Sequence, residues 1–114
     1  MPAEMETITY PVKDLTGSKA LFATLLGVPP YMDEPYYAAF RAGGQDVGLD
    51  PNGHRKGLTG PVGYWRVDDI ERSLKALTDA GAKTVQEVQD VGGGKLIASV
   101  RDADGNALGL VQGP

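Results

Sequence analysis

The side chains best suited to catalysis or metal binding are scarce in this chain. It has no cysteine and a single histidine, His54, so disulfides, thiolate zinc sites and thiol nucleophiles are excluded. A metal site at His54 would need Asp46 or Asp50 close by, but a lone histidine in a glycine-rich loop is ordinarily a solvated residue. No spacing places His54 beside a serine nucleophile. The three glycines at 92–94 do not join a strand to a helix, as a phosphate-binding loop must.

The bulk composition excludes further classes of function. The 114-residue chain has a net charge of −4 and is 41% hydrophobic, as expected for one soluble domain that can bury a core. The absence of a basic patch argues against nucleic acid as a partner. The first residues lack the basic and apolar regions of a signal peptide, and no apolar stretch is long enough to cross a membrane. We therefore expect a cytoplasmic protein with no membrane partner.

The apolar and turn-forming residues predict two successive series of strand, helix and three strands. The predicted helices begin after Asp14 and after Asp68 or Asp69, which are typical N-cap residues, and end at Gly27 and Gly81. The predicted strands are 7–12, 31–34, 36–42, 45–50, 61–67, 83–88, 95–101 and 106–112. We expect a single domain, 1–114, made of module one (5–52), an exposed linker (53–60) and module two (61–113).

The two series match each other residue by residue. At an offset of 55 residues, Val12, Asp14, Leu15 and Ser18 match Val67, Asp69, Ile70 and Ser73. At an offset of 61, Gly44, Val47, Gly48 and Leu49 match Gly105, Leu108, Gly109 and Leu110. Shared capping and turn residues could give part of this match, but the order and the residue types both favour a duplicated unit.

The sequence resembles the vicinal oxygen chelate superfamily, which includes glyoxalase I, extradiol dioxygenases, and fosfomycin and bleomycin resistance proteins. The residues that carry the resemblance are Tyr10–Leu15, Trp65–Ile70, Val100–Asn106 and Leu108–Leu110. Ala103 replaces the proline that is usual in the closing turn. The resemblance implies an α+β fold of two βαβββ modules, whose strands form a half-open mixed β-barrel with the helices outside. It also implies a homodimer.

The resemblance further implies four metal-ligand positions, two in each module. In this chain they are Thr7, Gly48, Val62 and Gly109, which obey the same offsets of 55 and 61. Glycine and valine have no donor side chain, and threonine is a weak neutral ligand, so this set does not suit a divalent cation. We expect no metal and no other cofactor.

Strand alternation extends these positions into a predicted ligand-binding face. The residues expected on it are Thr7, Thr9, Asp46, Gly48, Asp50, Val62, Tyr64, Arg66 and Gly109. Tyr36, Tyr37 and Phe40 would add an aromatic wall, whereas Trp65 is expected in the core. Tyr64 and Arg66 would stack on or pair with a planar or anionic ligand. These tyrosines could equally be ordinary strand residues, and Arg66 could simply pair with Asp46 or Asp50.

Three functions stay open at this point. The preferred hypothesis is a metal-free protein that binds a small organic molecule in the barrel cleft, as the resemblance to bleomycin resistance proteins implies. The alternative is a glyoxalase-like or dioxygenase-like enzyme with an atypical site, using either a metal or acid–base catalysis by Asp46, Asp50, Tyr64 or Arg66. The third is a structural or interaction domain with a filled cavity. The sequence names neither a catalytic residue nor a particular ligand.

Overall fold

A computed structural model of the chain describes residues 3–114. The order strand, helix, three strands occurs twice, which confirms the predicted α+β class with two βαβββ series. The first series is β1 (Glu4–Pro11), α1 (Leu15–Leu26), β2 (Met32–Glu34), β3 (Tyr37–Ala42) and β4 (Gln45–Asp50). The second is β5 (Val62–Arg66), α2 (Ile70–Asp79), β6 (Lys83–Asp90), β7 (Leu96–Arg101) and β8 (Ala107–Gln112). A single 3-10 turn, His54–Lys56, lies between them in the chain.

The chain divides into two compact units. The N-terminal unit is Thr7–Pro61, and the C-terminal unit is Val62–Pro114 together with residues 3–6. In the N-terminal unit the strand order is β2-β3-β4-β1, with β1 parallel to β4 and the other neighbours antiparallel. In the C-terminal unit the order is β5-β8-β7-β6, with β5 parallel to β8 and the other neighbours antiparallel. The two units therefore have the same topology.

Each helix begins directly after an aspartate that the sequence predicts as its N-cap. Asp14 Oδ1 accepts a hydrogen bond from the Gly17 N–H at 3.0 Å, and Asp69 Oδ1 accepts one from the Arg72 N–H at 3.2 Å. Each aspartate thus satisfies a donor that the first helical turn leaves unpaired. α1 ends at Gly27, whose φ of 73° lies in the left-handed region that glycine adopts readily. In the described part of the chain, neither helix is long and apolar enough to cross a membrane.

The helix of each unit packs on one face of that unit's sheet. The buried cluster of the N-terminal unit is Val12, Ala38, Phe40, Val47 and Leu49, against which α1 packs Leu15, Phe22, Ala23 and Leu26. The buried cluster of the C-terminal unit is Ile70, Leu74, Ala98, Val100 and Leu110. Because alternate strand residues point to opposite sides, the predicted site positions lie on the other face of each sheet.

Three predictions about burial and exposure do not hold in the structure. Phe40 belongs to the helix-covered cluster, with its ring centroid 6.3 Å from that of Phe22, because it has the opposite strand parity to Tyr37. Trp65 is 37% exposed rather than buried in the core. Its Nε1 and the side chain of Met5 both lie close to the space above Gly63. The predicted linker is also not exposed throughout, since Leu58 is only 2% exposed.

Candidate functional site

The mapped positions occupy equivalent places in the two sheets. In the N-terminal unit, Thr9 on β1 lies directly opposite Gly48 on β4. In the C-terminal unit, Tyr64 on β5 lies directly opposite Gly109 on β8. These two pairs are related by the offsets of 55 and 61 that relate the sequence repeat. Each glycine lies on the face turned away from its unit's helix, since its neighbours in sequence belong to the helix-covered clusters.

In the N-terminal unit, the side chain of Tyr37 covers Gly48. A Cβ atom on Gly48 would collide with the Tyr37 hydroxyl, so the space in which a ligand side chain would begin is already filled. Tyr37 is hydrogen-bonded to Thr9, which is 5% exposed. Burial raises the pKa of Tyr37, and the charges of Asp46 and Asp50 add to the rise while the Thr9 hydrogen bond opposes it. Tyr37 therefore remains a neutral phenol above Gly48.

Asp46 is the centre of a polar cluster on the same face. Tyr31 Oη donates to its two carboxylate oxygens at 2.9 and 2.8 Å, and Arg41 approaches Oδ1 with Nε and Nη2, both at 3.2 Å. The Thr7 hydroxyl lies 3.5 Å from Oδ2. Burial first, and then hydrogen bonding to and repulsion by Asp46, raise the pKa of Tyr31 to about 12. Both oxygens of Asp46 are thus committed to structural contacts.

Asp50, the other predicted carboxylate of this unit, is 5% exposed and also has fixed partners. Lys56 Nζ donates to its Oδ2 at 2.8 Å, and the backbone N–H of Asn52 donates to its Oδ1 at 2.8 Å. These bonds hold the turn that follows β4. Asp50 therefore stabilises local structure, and acid–base chemistry by this carboxylate would first have to break an ion pair.

In the C-terminal unit, the ring of Tyr64 covers Gly109. A Cβ atom on Gly109 would lie 2.5 Å from Tyr64 Cδ1, closer than real Cβ contacts come. Tyr64 Oη lies 3.4 Å from Gln86 Oε1, and Ser99 Oγ donates to the same oxygen at 3.0 Å. The four residues are successive partners across β5, β8, β7 and β6. The ring and its polar partners therefore form one row across the sheet, which we call the Tyr64 row.

Arg66, two residues after Tyr64, is held by an acidic residue at the start of the chain. Its Nε donates to Glu6 Oε1 at 2.9 Å, and Lys95 Nζ lies 3.2 Å from Glu6 Oε2. Burial raises the pKa of Glu6, but the hydrogen bonds from the two cations outweigh burial, and the pKa is lowered overall. Arg66 thus has a structural ion pair, as one of the alternatives left open by the sequence supposed, but its partner is Glu6 and not Asp46 or Asp50.

Neither unit offers donors that fit a divalent cation at the mapped positions. Val62 is fully buried and apolar, both glycines are covered by tyrosines, and the Thr7 hydroxyl faces Asp46. His54 is exposed on the 3-10 turn. Within residues 3–114, no group of three or more histidine, aspartate or glutamate side chains is arranged to hold a metal ion. The side chains present therefore do not fit the metal that the resemblance implies.

The sequence reasoning missed three residues that shape these faces, namely Tyr31, Gln86 and Ser99. Ser99 lies opposite Gly109, so pairing β7 with β8 in register would have found it. Gln86 pairs with Ser99 beside a register shift between β6 and β7. Strand alternation does not predict such a shift. Tyr31 lies outside the strands, and its contact with Asp46 depends on a turn.

A family model described as Glyoxalase/Bleomycin resistance protein/Dioxygenase superfamily matches residues 5–110. The chain belongs to this superfamily. The resemblance drawn from the sequence motifs is therefore confirmed. A comparison with curated proteins finds no match.

Solved structures of similar fold are numerous, with 174 matching chains. One, described as an NAD-dependent benzaldehyde dehydrogenase from Legionella pneumophila, is 17% identical over 97% of this chain and 98% of that one, with a TM-score of 0.76. A superfamily member from Vibrio splendidus 12B01 is 18% identical over 98% and 100%, with a TM-score of 0.73. The Mn(II)-bound glyoxalase from Novosphingobium aromaticivorans is 25% identical over 96% of this chain and 38% of that one, with a TM-score of 0.67. These matches establish the fold.

Proposed function

We propose that this superfamily member binds a small organic molecule without using a metal. The observation that supports the proposal is that the four positions which the resemblance implies for metal ligands hold Thr7, Gly48, Val62 and Gly109, a set that does not suit a divalent cation, and that the two glycines are covered by tyrosine side chains. The same faces keep ordered polar groups, as the Asp46 cluster and the Tyr64 row demonstrate. A face that has no metal donors but keeps fixed hydrogen-bonding groups is suited to binding a small organic ligand.

The Tyr64 row supports a particular ligand chemistry in the C-terminal unit. The apolar side chains of Val62 and Val111 lie on the same face as Tyr64 but are buried, at 0% and 2% exposed, so the Tyr64 ring is the apolar group that a ligand would contact. Gln86 Oε1 already receives the Tyr64 and Ser99 hydroxyls, so its amide nitrogen is the group that would donate to a ligand. A planar aromatic molecule with a carbonyl or similar acceptor matches this combination of apolar contact and a donor.

The contacts of the other predicted residues determine the role that we propose for each of them. In the N-terminal unit, Tyr37 covers Gly48 and would take its place beside the ligand, while Asp46 and Asp50 would hold the surrounding side chains through their ion pairs. In the C-terminal unit, Tyr64 covers Gly109 and would lie beside the ligand, and Arg66 would keep the strand in place through Glu6. We propose that the protein acts in the cytoplasm as a homodimer.

The absence of a functional metal is tested on protein purified without chelator. We expect elemental analysis to find less than one Mn, Fe, Ni or Zn per chain, and thermal melts to be unchanged by chelator or by each added metal. One tightly held metal per chain, lost together with thermal stability on chelation, would overturn the proposal and favour the metalloenzyme alternative.

Ligand binding is tested by thermal shift with a panel of planar aromatic compounds. A compound at a hundred times its dissociation constant should stabilise the protein by about 2.7 kcal/mol, or roughly 10 °C for a chain of this size. The Gln86→Leu variant should lose the shift for compounds with a carbonyl, whereas Val91→Ala, an exposed control on the loop after β6, should keep it. If no compound stabilises the wild-type protein, the structural-domain alternative is favoured instead.

A further inference from the structure

Glu6 holds two cations of its own unit with a single carboxylate. Arg66 Nε donates to Glu6 Oε1 at 2.9 Å, and Lys95 Nζ lies 3.2 Å from Oε2. The side chain of Glu6 is 22% exposed, whereas those of Arg66 and Lys95 are 56% and 43% exposed. These three side chains therefore carry a positive charge in excess, and solvent reaches it. We call Arg66 and Lys95 the basic clamp.

The basic clamp lies along the sheet from the Tyr64 row. Arg66 follows Tyr64 by two residues, and Lys95, just before β7, precedes Ser99 by four. Because alternate residues of a strand share a face, both cations project from the face that carries the Tyr64 row. Residues two apart on a strand are separated by about 7 Å, a distance that a substituted benzene ring spans.

Strand register brings two more basic residues to the opposite end of the same face. Lys83 on β6 is the partner of Arg101 on β7, and Arg101 is the partner of Ala107 on β8. Arg101 follows Ser99 by two residues, so this row shares the face of Ser99. The chain has a net charge of −4, yet the Tyr64 row lies between basic residues at both ends. Such a face attracts a negatively charged ligand.

Glu6 uses only part of what Arg66 offers. A guanidinium binds a carboxylate best through two parallel N–H donors. Arg41 does so in the N-terminal unit, where its Nε and Nη2 both lie 3.2 Å from Asp46 Oδ1. Arg66 contacts Glu6 through Nε, and within residues 3–114 its Nη groups have no hydrogen-bond partner. A carboxylate that is not attached to the chain is free to use both kinds of donor.

We propose that the ligand of the C-terminal unit is a planar aromatic carboxylate, and that Glu6 occupies the place of its carboxylate in the free protein. This inference rests on the proposed function, because it names the class of ligand for the same face. The ring lies beside Tyr64 with its acceptor at the Gln86 amide nitrogen, and the carboxylate lies between the two cations of the basic clamp. Exchange of one carboxylate for another keeps both cations paired, so it leaves no buried charge without a partner.

The test is isothermal titration calorimetry with two matched probes, para-acetylbenzoate and para-acetylbenzamide. Both have a planar ring and a ketone, and only the first has a carboxylate. The wild type should bind the benzoate more tightly than the amide. Glu6→Gln removes the internal competitor and should tighten binding of the benzoate about tenfold, the effect of one hydrogen bond to a charged group, without changing the affinity for the amide. Glu71→Gln removes the same charge from an exposed position on α2 and should bind both probes as the wild type does.

Two further variants locate the carboxylate. Arg66→Gln and Lys95→Gln should each abolish the preference for the benzoate and keep the affinity for the amide. Lys75→Gln removes a positive charge from α2, where the side chain is 76% exposed, and should keep the preference. Circular dichroism checks that each variant is folded, and Lys95→Gln tests the basic clamp by itself if Arg66→Gln does not fold.

The outcomes separate this inference from the proposed function. Equal binding of the two probes in both the wild type and Glu6→Gln would overturn the inference and leave the proposed function standing. A preference that survives both clamp variants, or that Lys75→Gln also removes, would overturn it as well. If neither probe binds while neutral aromatic compounds still stabilise the protein, the inference alone fails. If no compound of either kind binds, both fail.

Discussion

Replacing Gly109 with alanine tests whether Tyr64 truly fills the space above β8. The added Cβ would lie 2.5 Å from Cδ1 and 2.8 Å from Cγ and Cε1 of the ring. Tyr64 is 7% exposed, and its hydroxyl lies 3.4 Å from Gln86 Oε1, so the ring has little room to move aside. Gly109 does not have a positive φ, which means that alanine is strained here by the contact and not by the backbone.

The size of the effect follows from the cost of overpacking. Adding one methyl group to a filled site typically destabilises a protein by about 1–3 kcal/mol. With a urea dependence of about 2 kcal/mol per molar for a chain of this length, a loss of about 2 kcal/mol lowers the midpoint by about 1 M. The assay is equilibrium urea unfolding of both proteins, and the slope should stay the same.

Two companion variants separate the clash from other causes. Gly60→Ala adds the same methyl group where no heavy atom lies within 4 Å, so its midpoint should be unchanged or slightly raised. In a Tyr64→Ala background, where the ring is gone, Gly109→Ala should cost close to nothing. If Gly109→Ala unfolds at the wild-type midpoint, or loses as much stability without Tyr64 as with it, the described packing is refuted.

Three further changes have defined outcomes. Tyr31→Phe should remove a phenol that titrates near pH 12 from the near-ultraviolet tyrosinate curve, and the stability that the Tyr31 hydroxyl gives, full below its usual pKa of 10.0, should vanish as the pH rises through about 12; loss of a phenol that titrates near pH 10 instead would contradict the Asp46 contact. Glu6→Gln should be less stable than wild type above pH 4.5, and the difference should close as the pH falls through the lowered pKa of Glu6; a difference that persists in acid would mean that the carboxylate's ion pairs do not cause it. Asp69→Ala should cost about 1 kcal/mol in urea unfolding through loss of the α2 N-cap, whereas an unchanged midpoint would show that the hydrogen bond to the Arg72 N–H contributes little.

Features set by neighbouring residues were predictable from the sequence. The bounds of β4, the start of α1 after Asp14 and its end at Gly27 are as predicted, because a cap or a turn depends on residues a few positions apart. The fold class also followed, since the repeat and the motifs fix the order of the elements. β1 was predicted to begin at Thr7 but begins at Glu4. Glu4 and Glu6 give its start an acidic character that does not predict a strand, and Glu6 is paired with Arg66 far along the chain.

The sequence predicted which residues share one face of each sheet, but not which side chains contact one another on that face. Strand alternation placed Thr9, Gly48, Tyr64 and Gly109 on the face away from the helices. It could not show that a tyrosine lies over each glycine, because a long side chain reaches across neighbouring strands in a direction that alternation does not fix. For the same reason it could not identify Glu6 as the partner of Arg66.

The tyrosines that cover Gly48 and Gly109 do not occupy equivalent positions in the two units. Tyr64 lies directly opposite Gly109, but the equivalent residue of the N-terminal unit is Thr9. Tyr37 lies two residues before Ala39, the partner of Gly48; the equivalent place before Ser99, the partner of Gly109, is held by Ile97. Each unit thus fills the same position from a different strand. A metal-binding side chain at Gly48 or Gly109 would therefore first require removal of the tyrosine that covers it.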